Sequence, residues 1–281
     1  MKIGIITQPL QNNYGGILQN YALQDVLKKM GHEVITIDQK YPKIPLWKMF
    51  ASTLKTVLLK MTGKNREFFF FPKDQELKRI SQNTLCFVDN YINHTEKIDN
   101  ERQIRRIVKS LSLEAYIVGS DQVWRPCYNS SIYISFLNFT DSCPVKRIAY
   151  AASFGVDNWE LSDLETKRCK KLVKSFDAVS VREFSGIELC RRYLDVDACQ
   201  VLDPTMLLDE CDYIHLVEKE SEEKSAGSLL FYILDPEQSK LDYIAKVGMS
   251  LNLVPFSVMP ELQVGAKTIV DIDRCVFPSV T

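Results

Sequence analysis

An apolar strand that runs directly into a polar, glycine-bearing loop and then into a helix constrains this chain more than any other feature. Residues 2–38 read KIGIITQPLQNNYGGILQNYALQDVLKKMGHEVITID. Lys2–Thr7 is short, apolar and rich in β-branched residues, which suits a buried strand of a parallel sheet. Leu18, Ala22 and Val26, with Leu23, Leu27 and Met30, fall at helical spacing, and Gly31 stands where a helix C-cap glycine belongs. His32–Asp38 then turns apolar again. A βαβ unit this compact puts the loop Gln8–Gly16 at the carboxyl end of a strand and at a helix N-terminus, where free backbone N–H groups attract anions.

Short apolar segments recur at Ala115–Val118, Arg147–Ala151, Ala178–Val181 and Cys199–Leu202, separated by helical patterns of which Glu160–Ser175 and Phe184–Tyr193 are the clearest. This alternation predicts an α/β fold with a doubly wound, Rossmann-like parallel sheet. Such sheets bind ligands at the carboxyl ends of their strands. The segments there are Gln8–Gly16, Asp38, Gly119–Trp124, Ser153–Gly155, Arg182–Glu183 and Asp203–Pro204.

The chain has 281 residues, enough for one large or two ordinary domains, and a net charge of −1, which gives no global pull toward nucleic acid. No signal-peptide pattern opens it, and no apolar run approaches the roughly 20 residues that span a bilayer. None of its eight cysteines forms a C-x-x-C pair and no histidine lies near two of them, so a zinc site is not expected. Most of the cysteines sit in apolar or helical contexts and read as small buried hydrophobes of a reduced, cytoplasmic protein.

Residues 40–79 interrupt the pattern with ten Lys/Arg against three acids. Within them Pro45–Met61 reads as a basic amphipathic helix. It suits either peripheral contact with an anionic membrane or lipid-linked substrate, or packing on the domain with a solvated basic face. The expected organisation is a Rossmann-like domain over 1–208 with a basic helical excursion at 40–100, a polar linker at 209–227, and the start of a second Rossmann-like domain at 228–281. In that second part Leu229–Leu234 and Leu251–Val258 read as strands and Pro236–Gly248 as a helix. Its 54 residues are fewer than an independent domain usually has, so the chain reads as C-terminally incomplete.

Four loops carry the candidate substrate-binding residues. Asn13, Tyr14, Gly15, Gly16 and Gln19 combine close backbone approach with directional amides, though a glycine-assisted turn without a ligand fits the same residues. G-x-G-x-x-G is absent, so Asp38, placed where a ribose-binding acid would end the second strand, has weak support. Gly119, Ser120, Asp121, Gln122 and Trp124 set hydrogen-bonding groups beside an aromatic plane, as a sugar or nucleotide site needs; the alternative is a capped turn with Trp124 in the core. Ser153 and Gly155 end a strand in small residues that leave room for a ligand. Arg182 and Glu183 lie just past a buried strand, where Arg182 can grip a phosphate or carboxylate bidentately, or pair structurally with Glu183 or Asp203. No G-x-S-x-G elbow exists, and His32, His94 and His215 read as surface residues rather than catalytic bases.

Four motifs in this order resemble the polysaccharide pyruvyl transferase family: PLQNNYGGILQNYALQ (Pro9–Gln24), VGSDQVW (Val118–Trp124), SVRE (Ser180–Glu183) and VLDPT (Val201–Thr205). The resemblance implies a GT-B-like arrangement of two Rossmann-like domains. It also implies transfer of pyruvate from phosphoenolpyruvate to a sugar of a cell-surface polysaccharide or its lipid-linked precursor; the cysteine usage points to the cytoplasm for it, and the basic helix to association with the inner membrane face. That chemistry uses phosphoenolpyruvate as substrate, with no further cofactor and no metal. The family's donor-binding Arg and catalytic His belong to a D-x-x-H-G-like motif in the second domain, which this sequence lacks, so no catalytic acid is carried over. Competing readings are a non-catalytic binding remnant of that family and a GT-B glycosyltransferase using a nucleotide sugar.

Overall fold

The computed structural model describes residues 1–40, 78–129, 131–141, 143–220, 227–233, 237–257 and 280. The expected basic helix at 45–61, the C-terminal apolar segment before residue 280 and Cys275 lie outside the described residues. The chain divides into two compact units, Met1–Lys43 with Thr84–His215, and Ile44–Asn83 with Leu216–Ser279.

The first unit is built on a six-stranded sheet whose strands are β1 (Lys2–Ile6), β2 (Glu33–Thr36), β3 (Ala115–Val118), β4 (Lys146–Ala152), β5 (Ala178–Val181) and β6 (Cys199–Gln200). Every pairing is parallel and the order is β2-β1-β3-β4-β5-β6. The chain therefore steps one way from β1 to β2, then returns across β1 to β3 and continues outward. That reversal makes β1 and β3 the topological switch point, the crevice where open α/β sheets hold ligands. Beyond β2, residues 93–98 lie alongside in parallel, with Thr36 N donating to Asn93 O (2.8 Å) and Ile98 N to Asp38 O (2.9 Å).

Strand alternation divides the core. Ile3 and Ile5 of β1 and Ala115 and Ile117 of β3 face Leu23 and Leu27 of α1 (Tyr14–Lys29). Ile6, Tyr116 and Val118 enter a larger cluster with Ile104 and Val108 of α3 (Glu101–Leu111), which follows α2 (Gln82–Tyr91). The same cluster takes Leu172 and Val173 of α4 (Asp163–Val173) and Leu189 of α5 (Phe184–Leu189). The helix boundaries follow local chemistry. Asn13 caps α1 and Asn100 caps α3, while Ser162 and Glu165 form a reciprocal capping box on α4. Gly31 takes φ +84° to leave α1, as its C-cap reading requires. α5 passes into a π turn over Cys190–Leu194, one turn short of the continuous helix expected to Tyr193.

The structure corrects two expectations about organisation. Residues 210–220, placed in a polar linker, form helix α6 (Glu210–Glu220). Acids at Glu210 and Asp212 favour its N-terminus, Asp212 pairs with Lys29 at 2.7 Å, and Tyr213 Oη donates to Thr205 O at 2.6 Å. Charge density concealed these anchoring contacts. The cysteines are also less buried than expected. Among the described residues Cys169 and Cys190 are buried, their thiol pKa values pushed up to about 12 by desolvation, whereas Cys86, Cys127, Cys199 and Cys211 are exposed.

In the second unit, β7 (Leu229–Leu230) and β8 (Pro255–Phe256) pair in parallel, and α7 (Gln238–Leu251) connects them. This is the βαβ unit read from the sequence, with shorter strands. No helix among the described residues is long and apolar enough to cross a membrane.

Candidate functional site

The loops after β1, β3, β4 and β5 meet at the carboxyl edge of the first unit, and one bulged strand brings them together. The β4–β5 register shifts between Ala149 and Ala152, and Ala151 sits at φ +51°. Ser180 on β5 fills the gap: its hydroxyl donates to Ala149 O at 3.0 Å and accepts from Ala151 N at 3.1 Å. Bulges re-aim the residues that follow them, and here the next residues are Ser153, Phe154 and Gly155.

The switch-point loops are pinned to each other by side chains. Gly119 N donates to Ile6 O at 2.8 Å and Gln8 Nε2 to Gln122 O at 3.0 Å. Asn13 spans the junction. Its Oδ1 accepts from Gly16 N at 3.1 Å as the α1 cap, and its Nδ2 donates to Asp121 Oδ2 at 2.7 Å. Asp121 has φ +75°, in the left-handed region that costs a non-glycine residue about 1 kcal/mol or more. Its carbonyl accepts from Ser153 N at 3.1 Å and from Val123 N at 2.7 Å, tying the β3 loop to the end of β4. Two glycines are demanded by close approach: a Cβ on Gly16 would lie 2.8 Å from Asn13 Nδ2, and one on Gly155 2.2 Å from Gln122 Oε1.

The polar centre of the site joins Arg182, Glu183, Ser153 and Asp203. Arg182 Nε donates to Glu183 Oε1 at 2.8 Å, and Ser153 Oγ donates to the same oxygen at 2.8 Å. Ser153 Oγ accepts from Gly155 N at 2.9 Å and from Arg182 Nη2 at 3.4 Å. Arg182 Nη1 reaches Asp203 Oδ2 at 3.4 Å. Partial burial opposes the charge on Arg182; Glu183, then Asp203, outweigh that effect and raise its pKa. Asp203 also accepts from Gln19 Nε2 and, at 2.8 Å, from Ser120 Oγ, while its Oδ1 takes Thr205 N and Oγ1.

Of the expected site residues, Asn13, Gln19, Ser120, Asp121, Gln122, Ser153, Gly155, Arg182 and Glu183 join this connected set. Gly16 and Gly119 are buried backbone supports beneath it, and Tyr14 and Gly15 open α1 at its rim. Trp124 is corrected: it is fully buried, stacks on Phe136 at 5.0 Å and donates from Nε1 to Ser135 O at 3.0 Å. Its apolar area goes to the core, so it offers no face to a ligand. Asp38 is likewise no ribose acceptor. It is 2% exposed and its Oδ1 accepts from Leu10 N at 3.0 Å, which anchors the β1 loop; desolvation raises its pKa. Asp203 reads from the sequence as a strand-end residue and as a structural partner for Arg182, and it falls outside the expected substrate-binding set only because Asp-Pro-Thr reads first as a turn that caps the 3-10 segment Pro204–Leu207. Its position past the edge strand was the available signal.

The arrangement suits a polar ligand with hydroxyls and an anionic group: amides, hydroxyls and carboxylates surround the Arg182 guanidinium, and Arg125 joins from the β3 loop by donating to Gln122 Oε1 at 3.0 Å. No curated protein sequence matches the chain. Among solved structures, an alpha-glucosyltransferase (AGT) in complex with UDP is similar at 12% identity and a TM-score of 0.33, over 70% of this chain and 39% of that one. This chain thus spans 39% of that protein's length, and a likeness at that score carries no argument. The profile of the polysaccharide pyruvyl transferase family matches residues 13–271, which take in the site residues from Asn13 to Asp203, and the chain belongs to that family.

Proposed function

We propose that the protein takes part in transfer of pyruvate from phosphoenolpyruvate to a sugar of a cell-surface polysaccharide or its lipid-linked precursor. Membership of a transferase family supports this reading. The chemistry needs protonation at C3 of the enol, which makes C2 electrophilic. Two sugar hydroxyls then add at C2 and each loses its proton, while the C2–O bond to phosphate breaks, leaving a ketal and phosphate. The donor must be held through its phosphate or carboxylate, and the acceptor through its hydroxyls.

The observation that carries the reading is the state of Arg182. Its Nη1 makes a contact of only 3.4 Å, to Asp203, so that corner can turn to an incoming oxyanion at small cost. Gln19, Gln122, Asp121 and Asn13 around it have the donor and acceptor chemistry that sugar hydroxyls use. The reaction so drawn uses no cofactor beyond the donor substrate, and in this reading it runs in the cytoplasm or at the inner face of the membrane.

Calorimetric titration of phosphoenolpyruvate into the 281-residue chain tests this. Saturable heat that is lost in Arg182→Ala is expected. Absence of saturable heat with the unsubstituted chain would refute donor binding in this site.

A further inference from the structure

We infer that Glu183 is a positioning residue that selects which edge of the Arg182 guanidinium meets the donor; the inference rests on the donor-binding role proposed for Arg182. A guanidinium has two edges that suit a planar oxyanion, the side edge formed by Nε and Nη2 and the end edge formed by Nη1 and Nη2. Here the side edge is closed. Nε donates to Glu183 Oε1 at 2.8 Å, Nη2 reaches Ser153 Oγ at 3.4 Å, and Ser153 Oγ itself donates to Glu183 Oε1 at 2.8 Å. The three groups form a ring in which one carboxylate oxygen accepts from both neighbours.

Ser153 cannot easily leave this ring. It is fully buried, its single proton goes to Glu183, and its oxygen also accepts from Gly155 N at 2.9 Å. Ser153 is in turn placed by the bulge of β4. The ring is thus fixed from the sheet outward, and the end edge of Arg182 is what remains for a ligand. Among the described residues, only the 3.4 Å contact of Nη1 with Asp203 has to yield there. Glu183 side-chain exposure is 37% and that of Arg182 is 26%, so both groups are reachable.

An alternative role for Glu183 is simple charge neutralisation of Arg182, and the two roles predict opposite results. A neutralising carboxylate competes with an anionic ligand, so its removal tightens anion binding. A positioning carboxylate holds the fork, so its removal loosens binding by about tenfold, the worth of one charge-assisted hydrogen bond.

The experiment titrates phosphoenolpyruvate into the 281-residue chain and its Glu183→Ala, Glu183→Asp and Glu183→Gln variants, with melting curves for each. The inference expects about tenfold weaker binding in Glu183→Ala. It expects loss also in Glu183→Asp, which keeps the charge but withdraws it by one methylene. Glu183→Gln, which keeps an oxygen to accept from Nε and Ser153, recovers most of the affinity. Unchanged or tighter binding in Glu183→Ala, or full affinity in Glu183→Asp with none recovered in Glu183→Gln, overturns the inference while leaving the donor-binding role of Arg182 standing. No binding by the unsubstituted chain overturns both. Should Glu183→Ala fail to melt cooperatively, the Asp and Gln pair decides alone.

Discussion

Removing one hydroxyl from β5 should destabilise the first unit more than its size suggests. Ser180 is 7% exposed and its Oγ is the partner of both irregular backbone groups in the β4 bulge, Ala149 O and Ala151 N. In Ser180→Ala the Ala151 N–H, on a residue that is 0% exposed, loses the acceptor that satisfies it. A buried donor left unpaired costs about 1–3 kcal/mol. Ala151 already sits at φ +51°, so the backbone has little freedom to turn that N–H toward another acceptor. We therefore expect a loss of about 2 kcal/mol, or a fall in Tm of roughly 4–8 °C for a unit of this size. Thermal melts followed by circular dichroism measure it, with Ser110→Ala as the control. Ser110 is exposed on α3 and its hydroxyl donates to Ile107 O within its own helix, so its loss should cost less than about 0.5 kcal/mol. If the two variants melt together, the bulge is held by the sheet and not by the Ser180 hydroxyl, and the account of how Ser153 is aimed fails with it.

Two further perturbations test the frame of the site. Asp38→Asn keeps an oxygen for Leu10 N but removes a buried charge whose Oδ2 has no hydrogen-bond partner among the described residues. Because burial raises the folded pKa of Asp38 above its unfolded value, the ionised aspartate costs stability above that folded pKa, and the cost fades as pH falls through it toward the unfolded value. The variant should be more stable by about 1 kcal/mol at neutral pH and lose that advantage in acid; a gap in Tm that stays constant with pH would refute this. Gly155→Ala places a Cβ 2.2 Å from Gln122 Oε1 at φ +69°, whereas Gly15→Ala on α1 meets nothing nearer than Asn13 Oδ1 at 3.7 Å. The first should lower Tm by several degrees and the second leave it level or raised; equal melting temperatures would show that Gln122 moves aside freely.

The sheet was legible because its strands are short apolar runs whose burial needs no partner information. Ala115–Val118 and Ala178–Val181 have the bounds read from the sequence. The loops of the site were legible for the same reason, since strand ends are found once strands are. Side-chain direction was not. Trp124 follows Gly119, Ser120, Asp121, Gln122 and Val123, a run that suits an aromatic plane beside polar groups as well as a core residue, and a turn at Asp121 with positive φ sends it into the core. Asp203 and Gln19 are far apart in sequence, and only the fold brings the carboxylate across the strand ends to α1. α6 was hidden because its anchors, Tyr213 to Thr205 and Asp212 to Lys29, are long-range contacts on a charged segment.

The balance of charge at the strand ends bears on how the proposed reaction divides its labour. Asp121, Glu183 and Asp203 are three carboxylates in the connected set, against the guanidinium of Arg182 and that of Arg125, which donates to Gln122 Oε1 at 3.0 Å but is paired with Glu160 at 3.1 Å. A donor with both phosphate and carboxylate needs more positive charge than that set provides, because each buried anion must be matched by cations or N–H donors. Sugar hydroxyls make the opposite demand, since they are bound best by carboxylates and amides that accept their protons and return hydrogen bonds to their oxygens. The strand ends of the first unit therefore fit one anionic end of a donor beside a hydroxyl-bearing acceptor. In the proposed reaction Arg182 marks the point where the two would meet, and the further cations that such a donor needs are to be sought beyond Arg182 and Arg125.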